Sequence, residues 1–84
     1  MGEKMSELFF KGDLVIVPGD VRFQNSPVEY EITKFHRRKS PACCLVLDDA
    51  DKDFYLVQYE NHNGSYWYVP KEDCYSAVPR EGIC

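Results

Sequence analysis

The sequence predicts a single all-β domain, a small barrel of five to six antiparallel strands with at most one helical turn. Three observations lead there. Short β-branched or aromatic runs recur every 8–12 residues with turn residues between them. Nowhere do apolar residues recur at helical spacing over three turns. The chain has 84 residues, enough for one domain and not two. At this length a barrel leaves fewer exposed strand edges than a sandwich.

The elements follow in chain order. Residues 1–7 are polar and expected to be flexible, and the ordered core is expected over about 8–78. Gly12-Asp13 feeds the run Leu14-Val15-Ile16-Val17, which Pro18-Gly19-Asp20 stops. Residues 21–27 read as loop, because Asn25, Ser26 and Pro27 offer turn chemistry and no period. Val28-Glu29-Tyr30-Glu31-Ile32 alternates apolar with acidic, a half-buried strand with Val28, Tyr30 and Ile32 on one face. The run from Ala42 to Leu47 is continuously apolar, so a strand buried on both faces is expected. Residues 48–53 form an acidic turn, and 54–59 the next strand, with Tyr55, Val57 and Tyr59 opposed to Leu56 and Gln58. Asn61-His62-Asn63-Gly64 is a hairpin signal, since Asn and Gly tolerate positive φ. Residues 66–69 form the return strand, Pro70-Lys71-Glu72-Asp73 one helical or 3₁₀ turn, and 74–78 a last short strand.

Composition limits the functions open to such a domain. Apolar residues make up 44% of the chain, which argues against disorder through its middle. Aromatics reach 14%, more than a small core needs, so some are expected at the surface as a contact site. The net charge of −4 opposes binding to phosphate over the whole surface. The charge is not evenly spread. Lys34, Arg37, Arg38 and Lys39 form a basic run, and Asp48, Asp49, Asp51 and Asp53 an acidic one. No stretch reads as a secretory signal or a membrane span. An intracellular, reducing location, cytoplasm or nucleus, is therefore expected, with the four cysteines as thiols.

The second half of the chain carries a resemblance. Tyr55-Leu56-Val57-Gln58-Tyr59, then Trp67-Tyr68-Val69-Pro70-Lys71-Glu72-Asp73-Cys74, is similar to the alternating strand, tight turn and "VPxxDL" ending of Tudor-type SH3-like barrels. Cys74 stands where Leu is usual. Lys11-Gly12-Asp13 and the run after it resemble that family's first strand. The likeness spans about residues 10–78 and implies an SH3-like barrel. Tudor readers hold methylated Lys or Arg in an aromatic cage, where each ring–cation contact is worth about 0.5–2 kcal/mol. Carried over by position, the resemblance puts Tyr59 at the cage aromatic of the strand end. His62 falls at a second aromatic position, Gly64 at a polar one, and Phe23 or Tyr30 at the first-loop aromatic.

Other patterns each have a plainer reading beside the functional one. Alternation turns Trp67 and Val69 inward and Tyr66 and Tyr68 outward, where paired rings offer rigid contact area. The basic run could touch phosphate or serve as an import signal, and a solvated loop is the plainer reading. Asp49, Asp51, Asp53 and Glu60 have the spacing of a calcium loop, but Phe54 occupies the position that needs Gly, so no metal is expected. Cys43, Cys44, Cys74 and Cys84 lack a C-x₂-C pair and read as apolar thiols, with Cys84 an exposed tail thiol. His36 and His62 have no adjacent nucleophile. No cofactor and no enzymatic activity are expected.

The sequence therefore points to a non-enzymatic interaction module, a monomer. Phe23, Tyr30, Tyr59, His62, Tyr66 and Tyr68 would contact a peptide or protein, basic or methylated. Asp48, Asp49, Asp51 and Asp53 would steer it. A second reading is a stand-alone acidic regulator, of the kind phages encode, filling a partner's basic groove. A third is a nucleic-acid-binding SH3-like module using the basic run.

Overall fold

The computed structural model describes residues 8–59 and 65–77. It is all-β, as expected. Among these residues seven strands, rather than the five to six expected, form one antiparallel sheet: β1 (Leu14–Val17), β2 (Arg22–Gln24), β3 (Phe35–Arg37), β4 (Ala42–Asp48), β5 (Phe54–Tyr59), β6 (Tyr66–Pro70) and β7 (Tyr75–Ser76). Their order is β3-β2-β6-β5-β4-β1-β7. The sheet is not closed, and its ends are β3 and β7. Two 3₁₀ turns, Glu29–Glu31 and Lys71–Asp73, are present rather than one.

The core lies on one face. Val15 and Val17 of β1, Phe23 of β2, Ala42, Cys44 and Val46 of β4, Tyr55 and Val57 of β5 and Val69 of β6 form one buried cluster, joined by Phe9 and Cys74. Side chains spread over five strands of one sheet meet only if the sheet curls around them, because no second layer of described residues faces it. β4 adds a bulge: Val46 pairs with Val57, then Asp48 with Leu56, so Leu47 is an extra residue.

Three expectations are corrected. The segment Glu29–Glu31 is a 3₁₀ turn, not part of a strand. Ser26 Oγ accepts the Val28 N–H at 3.0 Å, and Val28 O accepts the Glu31 N–H at 2.9 Å. That geometry, following Pro27, bends the chain away from a ladder. The stretches read as loop contain two strands. β2 and β3 pair as Arg22 with Arg37, Phe23 with His36 and Gln24 with Phe35. Finally, β4 is buried on one face only: Ala42, Cys44 and Val46 are buried, while Cys43 and Leu45 are partly exposed on the other side. The expected hairpin at Asn61-His62-Asn63-Gly64 lies outside the described residues.

Candidate functional site

Two surfaces gather the chemistry the sequence singled out. The first is an aromatic cluster at the β2–β3 end. β3 alternates, so Phe35 and Arg37 point out and His36 points in. His36 lies flat on Phe23, ring centroids 5.1 Å apart and planes 7° from parallel. The Trp67 ring meets it edge to face at 4.5 Å. The Tyr59 hydroxyl and His36 Nε2 share a hydrogen bond. Tyr59 also packs on Phe23 at 5.2 Å, and the Arg38 guanidinium lies 5.3 Å from the Tyr59 ring.

The electrostatics follow from this packing. Burial, then the charge of Arg38, holds the His36 pKa below its ordinary value. Burial likewise raises the Tyr59 hydroxyl, with Arg38 opposing the shift. The cluster thus favours a neutral imidazole. The Trp67 indole N–H is buried without a hydrogen-bond partner among the described residues. The resemblance carries Phe23 and Tyr59 into one site, and the structure brings them together. It places Phe23 in the core, 1% exposed, rather than at the surface. The sequence reads His36 only as a histidine with no adjacent nucleophile. The signal that could have found it is its alternation with Phe35 and Arg37.

The second surface is the outer face of the sheet. The strand pairings put Tyr75, Ile16 and Cys43 in one row, and Leu14, Leu45, Gln58 and Tyr66 in another. A third row runs Phe35, Gln24, Tyr68, Leu56. The third row continues to exposed Asp48; apart from it only Gln24 and Gln58 are polar amides or charges in these rows, and Gln24 is buried, its amide bound to Ser26 O and to Arg22 Nε. An antiparallel sheet with a solvated face normally alternates to polar residues there. Here that face is largely apolar and aromatic over β1, β4, β5 and β6, with the Arg22–Arg37 pair at its β2–β3 end and Asp48 at the end of β4. Tyr66 (56% exposed), Phe35 (57%) and Tyr75 (50%) stand furthest out.

The remaining candidates lie around these surfaces. Tyr66 and Tyr68 point outward as expected. Tyr30 sits in the first 3₁₀ turn, 88% exposed, and joins neither surface's rows. His62 lies outside the described residues. Lys34, Arg37, Arg38 and Lys39 surround the β3 edge, all exposed. The acidic turn is partly used by its own backbone. Asp51 Oδ2 accepts the N–H groups of Asp53 and Phe54, Asp48 Oδ1 that of Ala50, and Asp49 Oδ2 that of Lys11. Asp53 lines an open groove of about 370 Å³ with Lys52, Phe54, Pro70, Lys71 and Glu72.

The buried thiols are structural. Cys44 and Cys74 are buried, and burial raises each pKa to about 12. Among the described residues no group of three or more His, Cys, Asp or Glu side chains could hold a metal ion. None of the described helices is long and apolar enough to cross a membrane. No protein-family model, no curated protein and no solved structure matches the chain.

Proposed function

We propose that this chain is a non-enzymatic protein-interaction module that binds a partner protein through the outer face of its sheet. One observation carries the reading: the outward positions of β1, β4, β5 and β6 are almost all apolar or aromatic, where solvent contact alone would favour polar residues. Tyr66 and Tyr68 on β6 supply rigid ring area, of the kind that dominates binding energy at interfaces. The module has an SH3-like frame in this reading. In its support, the last described strand pairs with the first, and a 3₁₀ turn precedes it. β2 and β3 are then an inserted hairpin that widens the sheet.

An unmodified protein surface fits better than a methylated side chain. The ring face of Phe23 that a methylammonium would need is covered by His36. Cys43, Cys44 and Cys74 are thiols rather than disulfides, which suits an intracellular, reducing location.

The test compares wild type with a Tyr66→Ala/Tyr68→Ala double variant. Both rings point away from the core, so circular dichroism should show an intact fold. Partners captured by the wild-type protein should bind the variant at least tenfold more weakly, measured by isothermal titration. Equal affinity for every partner sinks the reading.

A further inference from the structure

The outer face ends differently on its two sides. A row of paired residues crosses five strands: Phe35, Gln24, Tyr68, Leu56 and Asp48. Four strand spacings lie between its ends, roughly 19 Å measured along the curled sheet. Exposed Arg37 shares the outward side of β3 with Phe35 and pairs with Arg22, whose guanidinium lies 5.3 Å from the Phe35 ring centre and 3.5 Å from Glu29, and exposed Lys34 and Lys39 flank the strand in sequence. Exposed Asp48 closes the other end, and exposed Asp53 lies on the same turn, in a groove it lines with Lys52, Phe54, Pro70, Lys71 and Glu72, where the carboxylates of the 48–53 turn and Glu72 outnumber the two lysines. Apolar rings and Leu56 fill the space between. The face is thus basic, apolar and acidic in sequence across the sheet.

Such a surface is complementary to itself. A two-fold axis brings the same patch of two copies together with the order reversed, so residue i of one copy meets residue j of the other and the reverse. The basic margin of each copy then faces the acidic margin of its mate, while the apolar rows meet in the middle. A partner of uniform charge would satisfy one margin and oppose the other. We propose that the outer face is a homodimer interface, with a second copy of this chain as its occupant. The proposal rests on the reading of this face as a contact surface, and it departs from the monomer that the sequence suggests.

Salt alone is a poor test, because it screens both the attraction between margins and the repulsion between two chains of charge −4. Charge exchange separates them. Arg37 and Asp53 are both exposed, and the Asp53 carboxylate takes part in none of the turn's hydrogen bonds described above. Sedimentation velocity of the wild-type protein from micromolar to millimolar concentration should show a reversible monomer–dimer equilibrium. Arg37→Glu and Asp53→Lys, each alone, should weaken it at least tenfold, because each places like charges at both ends of the interface. An equimolar mixture of the two variants should recover dimers. The two reversed margins then face each other, as do the two unaltered ones, and opposite charges meet at both ends. A wild-type protein that stays monomeric overturns the proposal, as does a mixture that associates no better than its components. A monomeric protein whose other partners are still lost in the Tyr66→Ala/Tyr68→Ala variant removes the second copy alone and leaves the interaction module standing.

Discussion

His36 shows how much one inward-pointing side chain can set. The groups that face it are Phe23 from β2, Tyr59 from β5, Trp67 from β6 and Arg38 at the end of its own strand. Burial disfavours the imidazolium, and the guanidinium of Arg38 repels it, so the folded-state pKa lies below the ordinary 6.5. The sign follows from proton counts. Near and below pH 6.5 the unfolded chain binds a proton that the folded chain resists, and stability rises with pH wherever the unfolded state holds more protons. The contribution is complete above 6.5. It is lost as pH falls from 6.5 through the lowered folded value. Urea denaturation at several pH values between about 5 and 8 should show this decline, and His36→Phe, which keeps a flat ring against Phe23, should reduce the slope. An identical slope in the variant would remove His36 as its cause. A second residue-scale test concerns Tyr55, whose hydroxyl accepts the buried Phe9 N–H at 2.7 Å. Tyr55→Phe leaves that donor unsatisfied and should cost about 1–3 kcal/mol in the same denaturation experiment.

Among the elements, the β2–β3 hairpin depends on a close approach between two connections. A Cβ on Gly19 would lie 2.6 Å from the Lys39 carbonyl oxygen, so this residue cannot enlarge without moving backbone. Asp20 follows at φ 69° and donates its N–H to Arg38 O at 2.7 Å. The turn out of β1 is therefore sewn to the segment leaving β3. Gly19→Ala should destabilise the protein by about 1–3 kcal/mol, the usual scale for forcing atoms into filled space. Asp20→Gly relieves a left-handed backbone and should be nearly neutral or stabilising. Thermal unfolding of both variants checks the pair, and a neutral Gly19→Ala would mean that the two connections separate freely. The same elements mark what the sequence could disclose. β1, β4, β5 and β6 announce themselves because four or more residues alternate or run apolar between turn signals. The Lys71–Asp73 turn follows from Pro70. β2 and β3 do not, since three residues hold less than two periods and β3 carries its charge outward as Phe35-His36-Arg37. Val28–Ile32 misleads for the opposite reason. Val28 and Ile32 are half-buried and the residues between them exposed, a pattern a 3₁₀ turn also produces. Of the candidate site, the outward tyrosines of β6 were legible from alternation. The stacking of His36 on Phe23 was not, because it depends on a hairpin the sequence did not reveal.

At the scale of the whole molecule, the described residues form one curled sheet around one cluster, and that arrangement has a consequence for how it comes apart. Cys44 sits within β4, and Cys74 follows the second 3₁₀ turn, yet both are buried in the same cluster. Burial raises both pKa values to about 12, so almost no thiolate exists near neutral pH and neither sulfur is open to a reagent. Small single domains usually unfold as one cooperative unit, though edges can open locally at lower free energy. β7 is a two-residue strand at one end of the described sheet, where it pairs with β1, and it adjoins Cys74, so the sheet end offers a weak point next to one reporter and not the other. The packing argues that the weak point does not matter. Cys74 Sγ donates to Pro70 O at 3.5 Å, and Lys71 joins the second turn to the acidic turn by its backbone N–H to Asp53 O and by its side chain to Asp49 O. Releasing Cys74 therefore means parting the second 3₁₀ turn from the β4–β5 turn, in the middle of the sheet. In a Cys43→Ser/Cys84→Ser background, thiol labelling of Cys44 and Cys74 in mild urea, followed by mass spectrometry, should give equal protection free energies that match the global value from denaturation. Cys74 labelling well ahead of Cys44 would show that β7 and the turn before it detach first, and the single-unit description of this sheet would fail.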